Sequence, residues 1–343
     1  MHRKATARLS DVARAAGVSL STASRALADP QVVREDTRAA VCAAAERLGY
    51  VPHGAARALA SRRSMTIGAV VPTLDNPIFA HSTQALQRSL ANAGYTLLLG
   101  SHDYNPSTEL AVVRALVARG VDGLVLVGTD HPPEVYALIA QSGIPLELTW
   151  SIDATGPHYA VGFSNRLAAA QVAQYVCQAG HQDIAMLSGF TAHNDRARDR
   201  VAGVREACAA VGRVLPASAI VETAFSIAAA RSATRELLSA AEVPSAILCG
   251  NDILAIGVLL ECAAQGVSIP EQLSVVGFDD IELASEMSPA LTTLHVPTAQ
   301  IGQRAAERLV ARLQGENVAR TEAVPVRLIV RESSASPVVV RAK

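Results

Sequence analysis

Two groups of residues in this 343-residue chain have types and spacings that suit chemistry. The first is GVSLSTASRAL, Gly17 to Leu27, where Leu20, Ser21, Thr22 and Ser24 precede one long cation, Arg25. Small hydroxyls donate to phosphates or base edges, and an arginine grips a guanine with two hydrogen bonds. A helix this slim has little bulk for a core, yet it fits a DNA major groove, which admits one helix. The same spacing also fits a small helical bundle that binds protein. The second group is polar and aromatic. Phe79, Trp150, the segment FTAHNDRARDR, Asn251 and Asp279 each follow a short apolar run. A carboxylate, an amide and guanidinium groups around aromatic faces suit a small polyhydroxylated ligand.

Each of these residues also has a plain structural reading. Asn251 can cap the helix DILAIGVLLE, and Asp279 can cap the short helix after it. Trp150 fits a core as well as it fits a ligand platform, and Arg196 and Arg198 read as surface ion-pair partners. Covalent or metal chemistry has no foothold in the motifs. The chain contains no G-x-S-x-G, no G-x-x-x-x-G-K-[ST], no H-E-x-x-H and no G-x-G-x-x-G. Its nine histidines are scattered, and Cys42, Cys177, Cys208, Cys249 and Cys262 form no C-x-x-C pair. We therefore expect no catalytic residue, no metal and no cofactor, and reduced thiols.

The elements that position these groups are legible in outline. Residues 9–61 read as short helices: LSDVARAA with Ser10 as cap, a turn at Gly17, LSTASRALA capped by Ser19, and REDTRAAVCAAAERLG ending at Gly49. Ala13 is the small residue where two helices cross, and Ala23 anchors the second helix inward. From Met65 onward, runs rich in Val, Ile and Leu alternate with helical segments. Such runs are strands buried on both faces, so the fold is α/β with parallel sheets. More than 250 residues of this pattern require two lobes. The expected division is 1–52 for the helical head, 53–64 for a linker (HGAARALASRRS), 65–335 for the body and 336–343 for a tail. One lobe is expected near 65–160 and 292–323, the other near 161–291 and 324–335. In an open parallel sheet the ligand crevice lies at the carboxyl ends of the strands, which is where the second group falls.

Charge separates the same regions. Residues 1–63 carry 11 Lys/Arg against 5 Asp/Glu, and the remainder carries 19 against 26. A basic head on an acidic body is either a polyanion reader or a solvated basic terminus. MHRKATARLS has charge without an apolar stretch, so no signal peptide is expected. The apolar run ILAIGVLLECAA is too short to span a bilayer, which points to a cytoplasmic protein without membrane contact. An extracytoplasmic solute-binding protein matches the body, but neither the missing signal peptide nor the basic head.

In order and spacing, LSDVARAAGVSLSTASRAL, VREDTRAAVCAAAERLGYVP and AARALASRRS resemble the LacI family of bacterial transcription regulators. The segments IGAVVPTLDNPIF, GVDGLVLVG, NDRARDRVAGV, CGNDILAIG, LSVVGFDDIELA and LTTLHVP resemble its periplasmic-binding-protein-like effector domain, so the likeness runs from about residue 9 to 332. The resemblance implies a helix–turn–helix head, a hinge helix and a two-lobed body. It places Leu20 and Ser21 on specificity positions, Arg25 on a base contact, and Thr22 and Ser24 on the DNA backbone. Leu59 falls on the residue that wedges into the minor groove, with Ala55 and Ala56 at a dimer contact. In the body it assigns Arg200, Asn251 and Asp279 to the effector, and Phe225 to an aromatic side wall, a position that also fits plain core. The implied protein is not an enzyme. It is a homodimeric, cytoplasmic repressor of a pseudo-palindromic operator, controlled by a small molecule of the sugar or sugar-acid class. Some positions depart from the family pattern: Arg8 stands at a capping threonine, Ala23 at a valine, His53 at an asparagine and Trp150 at an aspartate. The tail SSASPVVVRAK has no heptads, so no coiled-coil tetramer is expected.

Overall fold

The computed structural model describes residues 7–28, 32–51, 63–153 and 155–337. The chain forms two compact units, Met1–Met65 and Thr66–Lys343.

In the first unit, α1 (Leu9–Ala15), α2 (Leu20–Ala28) and α3 (Glu35–Leu48) surround a core of small side chains. Val12, Ala23, Val41 and Ala44 have no exposed surface, and Ala13 has almost none. Alanine at the crossings lets the helices approach closely. Gly17 makes the turn at φ +69°, where a side chain would be strained. The Val18 N–H then closes on the Ala13 carbonyl at 3.0 Å. Ser19 Oγ accepts from the Thr22 N–H at 3.1 Å, the expected cap. The first helix differs from expectation. It begins at Leu9 with Arg8 in the capping position. The Asp11 carboxylate reaches back to the Arg8 N–H at 3.0 Å, so Ser10 lies inside the first turn.

The second unit alternates strands and helices. Its first sheet draws on β1 (Thr66–Val71), α4 (Pro77–Asn92), β2 (Thr96–Ser101), α5 (Pro106–Ala118), β3 (Gly123–Val127), α6 (Pro133–Ser142), β4 (Leu146–Thr149) and β5 (Tyr159–Gly162). Next come α7 (Asn165–Gln178), β6 (Ile184–Gly189), α8 (Asp195–Ala210), β7 (Ile220–Thr223), α9 (Ile227–Leu238), β8 (Ala246–Cys249) and α10 (Asp252–Gln265). The chain ends with β9 (Ser274–Asp279), α11 (Glu282–Glu286), β10 (Thr292–His295), α12 (Thr298–Leu313), β11 (Thr321–Ala323) and β12 (Arg327–Ile329). Two six-stranded sheets result, ordered β11-β5-β4-β3-β1-β2 and β12-β10-β9-β8-β6-β7. Ladders are parallel except β10 with β12. The edge strands β7 and β11 do not stand out in the sequence, being short and only half-buried. Residues 292–295, expected in the first lobe, pair instead with β9 and β12 in the second sheet. Residues 161–162 close β5 in the first sheet. The chain therefore crosses between sheets near 163–164, 296–297 and 324–326, a few residues from the expected boundaries.

Helix starts are set by local chemistry at the strand ends. After β1 and β2 the chain reads Asn-Pro. Asn76 Oδ1 accepts from the Ile78 N–H at 3.3 Å, and Asn105 Oδ1 from the Ser107 N–H at 2.9 Å. Proline at the first helical position has no N–H to leave unpaired. Two glycines let helices meet at backbone distance. A Cβ on Gly203 of α8 would lie 2.0 Å from the Arg166 carbonyl oxygen of α7, and one on Gly302 of α12 1.9 Å from that of Ser82 in α4. Gly203→Ala must push α8 off α7, at a cost of about 1–3 kcal/mol or more. The expected result is a melting temperature lowered by several degrees on a calorimetric scan; an unchanged value would show that the crossing tolerates a methyl group.

Candidate effector cleft and DNA-reading face

The face that α2 turns away from the head's core carries Leu20, Ser21, Ser24 and Arg25, all exposed, with Thr22 half-buried beside them. Leu20 keeps 54% of its surface in solvent, an apolar side chain with no internal use. Arg25 Nε donates to the Ser21 carbonyl at 3.3 Å, which lays the side chain along its own helix. Ser19 Oγ lies 2.9 Å from Ser21 Oγ and 2.8 Å from Thr22 Oγ1, so the hydroxyls at the helix start form one cluster. Leu59, Ala55 and Ala56 lie outside the described residues.

In the second unit, one cleft at the carboxyl ends of both sheets gathers Phe79, Trp150, Arg200, Phe225, Asn251 and Asp279. The first sheet contributes Phe79, from the first turn of α4, and Trp150, just after β4. Their rings meet edge to face at 5.3 Å. Trp150 is almost wholly buried and takes φ +71°. From the second sheet come Arg200 on α8, Phe225 before α9, Asn251 before α10 and Asp279 at the end of β9. Phe225 lies flat on the end of β6, where a Cβ on Gly189 would fall 1.9 Å from its ring.

Arg200 is fixed on several sides. Its Nε donates to Asn165 Oδ1 at 2.9 Å, and its Nη1 donates to the Gly250 carbonyl at 2.5 Å. Its guanidinium lies 3.7 Å above the Phe278 ring, a cation–π contact. Asn165 in turn donates through Nδ2 to the Trp150 carbonyl at 2.9 Å, linking the tryptophan's backbone to the arginine. Arg200 Nη2 faces Asp279 Oδ1 at 3.8 Å, close enough for charge attraction but not for a hydrogen bond.

Two polar atoms of the cleft are left over. Asp279 Oδ1 and Asn251 Nδ2 are buried without a hydrogen-bond partner. Unpaired buried groups cost about 1–3 kcal/mol each, so these two atoms are a standing cost to the fold. Asn251 Oδ1 caps α10 through the Leu254 N–H at 2.9 Å, the expected cap, and leaves the Nδ2 free of that task. Asp279 does not cap α11: the N–H of Ile281 is taken by Asp252 Oδ2 at 2.9 Å. Asp279 instead adopts φ +117°, a strained conformation for a side chain with a Cβ. Burial, only partly offset by Arg200, pushes its carboxyl up to about 7. Burial first, and then the neighbouring Asp279, push Asp252 up to about 8.

Sequence reasoning passed over Tyr104 and misplaced Arg196. Tyr104 follows β2 and lines the cleft, stacked on Phe225 at 5.8 Å. It obeys the same strand-end rule that identified Phe79. Arg196, expected on the surface, is buried in the cleft wall. Its Nη1 donates to the Val127 carbonyl at 3.2 Å and to Asp195 Oδ1 at 2.8 Å. The usable signal was its spacing, because four residues before Arg200 on one helix is the same face. Asp195 Oδ2 takes the Thr129 N–H and hydroxyl at 2.8 and 2.9 Å. Burial opposes the Asp195 carboxylate, but Arg196, Ser151 and Thr129 outweigh it and hold it below its usual range. Gly128, at φ +93°, leaves room for this pair. Arg198 is the surface partner expected of it, 2.7 Å from Asp130.

Among the described residues no helix is long and apolar enough to cross a membrane, and no group of three or more His, Cys, Asp or Glu side chains is placed to hold a metal ion. Comparison with known proteins agrees with both halves of the chain. The family of bacterial regulatory proteins, lacI family, matches residues 8–53, and a periplasmic binding protein-like domain matches residues 173–334. The HTH-type transcriptional regulator GntR of Escherichia coli strain K12 is 32% identical over 313 residues, covering 90% of this chain and 93% of that protein. A crystal structure of a LacI-family regulator from Silicibacter pomeroyi superposes with a TM-score of 0.87 at 28% identity, covering 95% of this chain and 99% of that one. The lac repressor dimer bound to operator and the anti-inducer ONPF superposes at 0.84, also at 28% identity, over 96% of this chain and 99% of its own.

Proposed function

Since the chain belongs to the LacI family of DNA-binding transcriptional regulators, we propose that it is a homodimeric repressor whose operator affinity is set by a small polyhydroxylated effector, a sugar or sugar acid. Residues 1–52 read DNA, 53–64 join the units, and the body from 65 to 335 binds the effector and its twin subunit. Two heads on a twofold axis cover two half-sites, so the operator is pseudo-palindromic. A regulator of this kind works in the cytoplasm, beside its DNA. In the head, Leu20, Ser21 and Arg25 touch base edges, while Thr22 and Ser24 position the helix on the backbone; Leu59 enters the minor groove.

The observation that carries the effector reading is the pair of buried, unpartnered atoms, Asp279 Oδ1 and Asn251 Nδ2, in one cleft with Arg200. A carboxylate accepts from two adjacent hydroxyls, while an amide and a guanidinium donate to ring or carboxylate oxygens. Phe79, Trp150 and Phe225 wall the cleft with aromatic surface, which suits the apolar side of a pyranose. Because the cleft draws on both sheets, a ligand there favours one arrangement of the lobes over others.

The test has two steps. A thermal-shift screen of neutral sugars and sugar acids is expected to yield a compound that raises the melting temperature, because it binds only the folded chain. That compound is then expected to change affinity for a palindromic duplex by roughly 5- to 150-fold, a coupling of about 1–3 kcal/mol. No stabilising compound in the panel, or one that leaves duplex binding unchanged, would refute the reading.

A further inference from the structure

Beyond Tyr104 the structure contains a second cavity, of about 310 Å³. That size lies at the lower end of the range for small-molecule sites, about 300–1,000 Å³. Tyr104 belongs to the walls of both this cavity and the effector cleft. Its ring, stacked on Phe225 on the cleft side and 6.2 Å from the His102 ring on the other, is the partition. The backbone of Tyr104 sits at φ +57°, a left-handed position that sets the ring there.

The chemistry of the walls is specific. Glu109 and Asp130 both line the cavity, and both are already paired. Glu109 Oε1 lies 2.5 Å from His131 Nδ1, and Asp130 Oδ2 lies 2.7 Å from the Arg198 guanidinium. The other nitrogen of His131 is held by the Gly128 carbonyl at 3.1 Å. Burial lowers the His102 pKa. The two carboxylates of the lining are thus already engaged with partners. His102 is 8% exposed, and its Nδ1 has no hydrogen-bond partner. That atom is an unused polar group in a wall otherwise satisfied. His193 adds an exposed imidazole at the rim. Pro106, Pro132 and Pro133 supply apolar surface. A lining whose carboxylates are already engaged, with an unpartnered imidazole nitrogen at His102, apolar patches and an aromatic partition, matches an uncharged, hydroxyl-bearing ring.

We propose that this cavity is a second subsite of the effector cleft, taking the second, uncharged ring of a two-ring saccharide that passes over Tyr104. This rests on the reading of the first cleft as a saccharide site. The second ring's hydroxyls hydrogen-bond to His102 and His193, and its apolar face rests on the prolines. The first ring occupies the cleft at Arg200 and Asp279.

Calorimetric titration of the full chain with neutral disaccharides (cellobiose, maltose, lactose, melibiose) and with glucose and galactose tests the subsite. At least one disaccharide is expected to bind tenfold or more tighter than either of its monosaccharides. His102→Leu is expected to erase that difference while leaving monosaccharide affinity unchanged. His193→Ala, at an exposed rim position, is expected to weaken the disaccharide several-fold and serves as the second variant should His102→Leu not fold. If monosaccharides bind and no disaccharide binds tighter, the subsite is wrong and the first cleft stands. Disaccharide binding untouched by both variants also overturns the subsite. If no saccharide or sugar acid binds at all, the reading of the first cleft fails, and the subsite with it.

Discussion

Arg25→Ala is expected to abolish discrimination between the operator and random duplex while leaving weak, salt-sensitive binding. Arg25 is the only long cation on the exposed face of α2, whose other members are Leu20, Ser21 and Ser24. A bidentate arginine–guanine pair is worth about 1–3 kcal/mol of discrimination. A dimer loses the pair at both half-sites, so the expected cost is about 2–6 kcal/mol, a factor of roughly 30 to 3 × 10⁴. Non-specific attraction to phosphates survives, because it is spread over the other cations of the basic head. Binding should still fall as salt rises, with a slope reduced only slightly. The head should keep its melting temperature, since Arg25 is exposed and its bond to the Ser21 carbonyl lies at the helix surface. Footprinting on the operator in competitor DNA is the measurement. A protected region identical to wild type would mean that α2 does not enter the groove as oriented here.

Asp279→Asn is expected to make the protein more stable at pH 8 and unresponsive to its effector. The two effects share one cause. The Asp279 carboxylate is buried, strained and only loosely matched by Arg200 at 3.8 Å, and its pKa is pushed up to about 7. An exposed aspartate titrates near 3.9, so between about pH 4 and 7 the folded chain holds a proton that the unfolded chain has released. Stability contributed by this group is full below about pH 4, falls as pH rises through that window, and is gone above about 7. An asparagine never ionises and escapes the loss. The gain at pH 8 is at most about 4 kcal/mol, from three pKa units at 1.36 kcal/mol each. Asp252, raised for the same reason and bonded to the Thr293 hydroxyl at 2.5 Å, adds a slope of the same sign that the substitution leaves in place. An amide lacks the charge that draws two hydroxyl donors, so effector affinity should drop by tenfold or more. Wild-type affinity should itself improve as pH rises through about 7 and the carboxylate ionises. Operator affinity without effector should stay near normal. Thermal melts from pH 5 to 8 and effector titrations at each pH decide the matter. A variant that melts lower at pH 8, or that responds normally to effector, would remove Asp279 from the site. Gaining stability while losing the response would be the usual trade at a functional position.

Local rules carried much of the site into the sequence. The α2 reading needed only short-range facts: Gly17 for a left-handed turn, Ser19 as a cap, and small Ala13 and Ala23 at the crossing. Strand-end logic found Phe79, Trp150, Asn251 and Asp279, because a parallel α/β sheet always presents its carboxyl ends to the crevice. Strand-end logic marked the segment FTAHNDRARDR but not which of its arginines mattered; singling out Arg200, and finding Phe225 at all, needed the family resemblance. The edge strands β7 and β11 and the exact crossovers escaped, because IVET and TEA carry too few apolar positions to be distinguished from a loop.

By itself, then, the amino-acid order determined the class of the two units, the face that α2 leaves exposed and the residue types gathered in the cleft. These follow from periodicity, turn chemistry and charge, which act over a few residues. Only tertiary packing decided which atoms in the cleft remain unspent. Arg196 became a cleft wall because the Val127 carbonyl, 69 residues away in sequence, accepts its hydrogen bond. Arg200 was immobilised by Asn165, Gly250 and Phe278, which left Asp279 Oδ1 without a partner. Tyr104 became a partition only by stacking on Phe225, a residue on the other sheet's side of the cleft. Hydrogen bonds and desolvation depend on which groups meet in space, and contacts of that range leave no periodic trace along the chain.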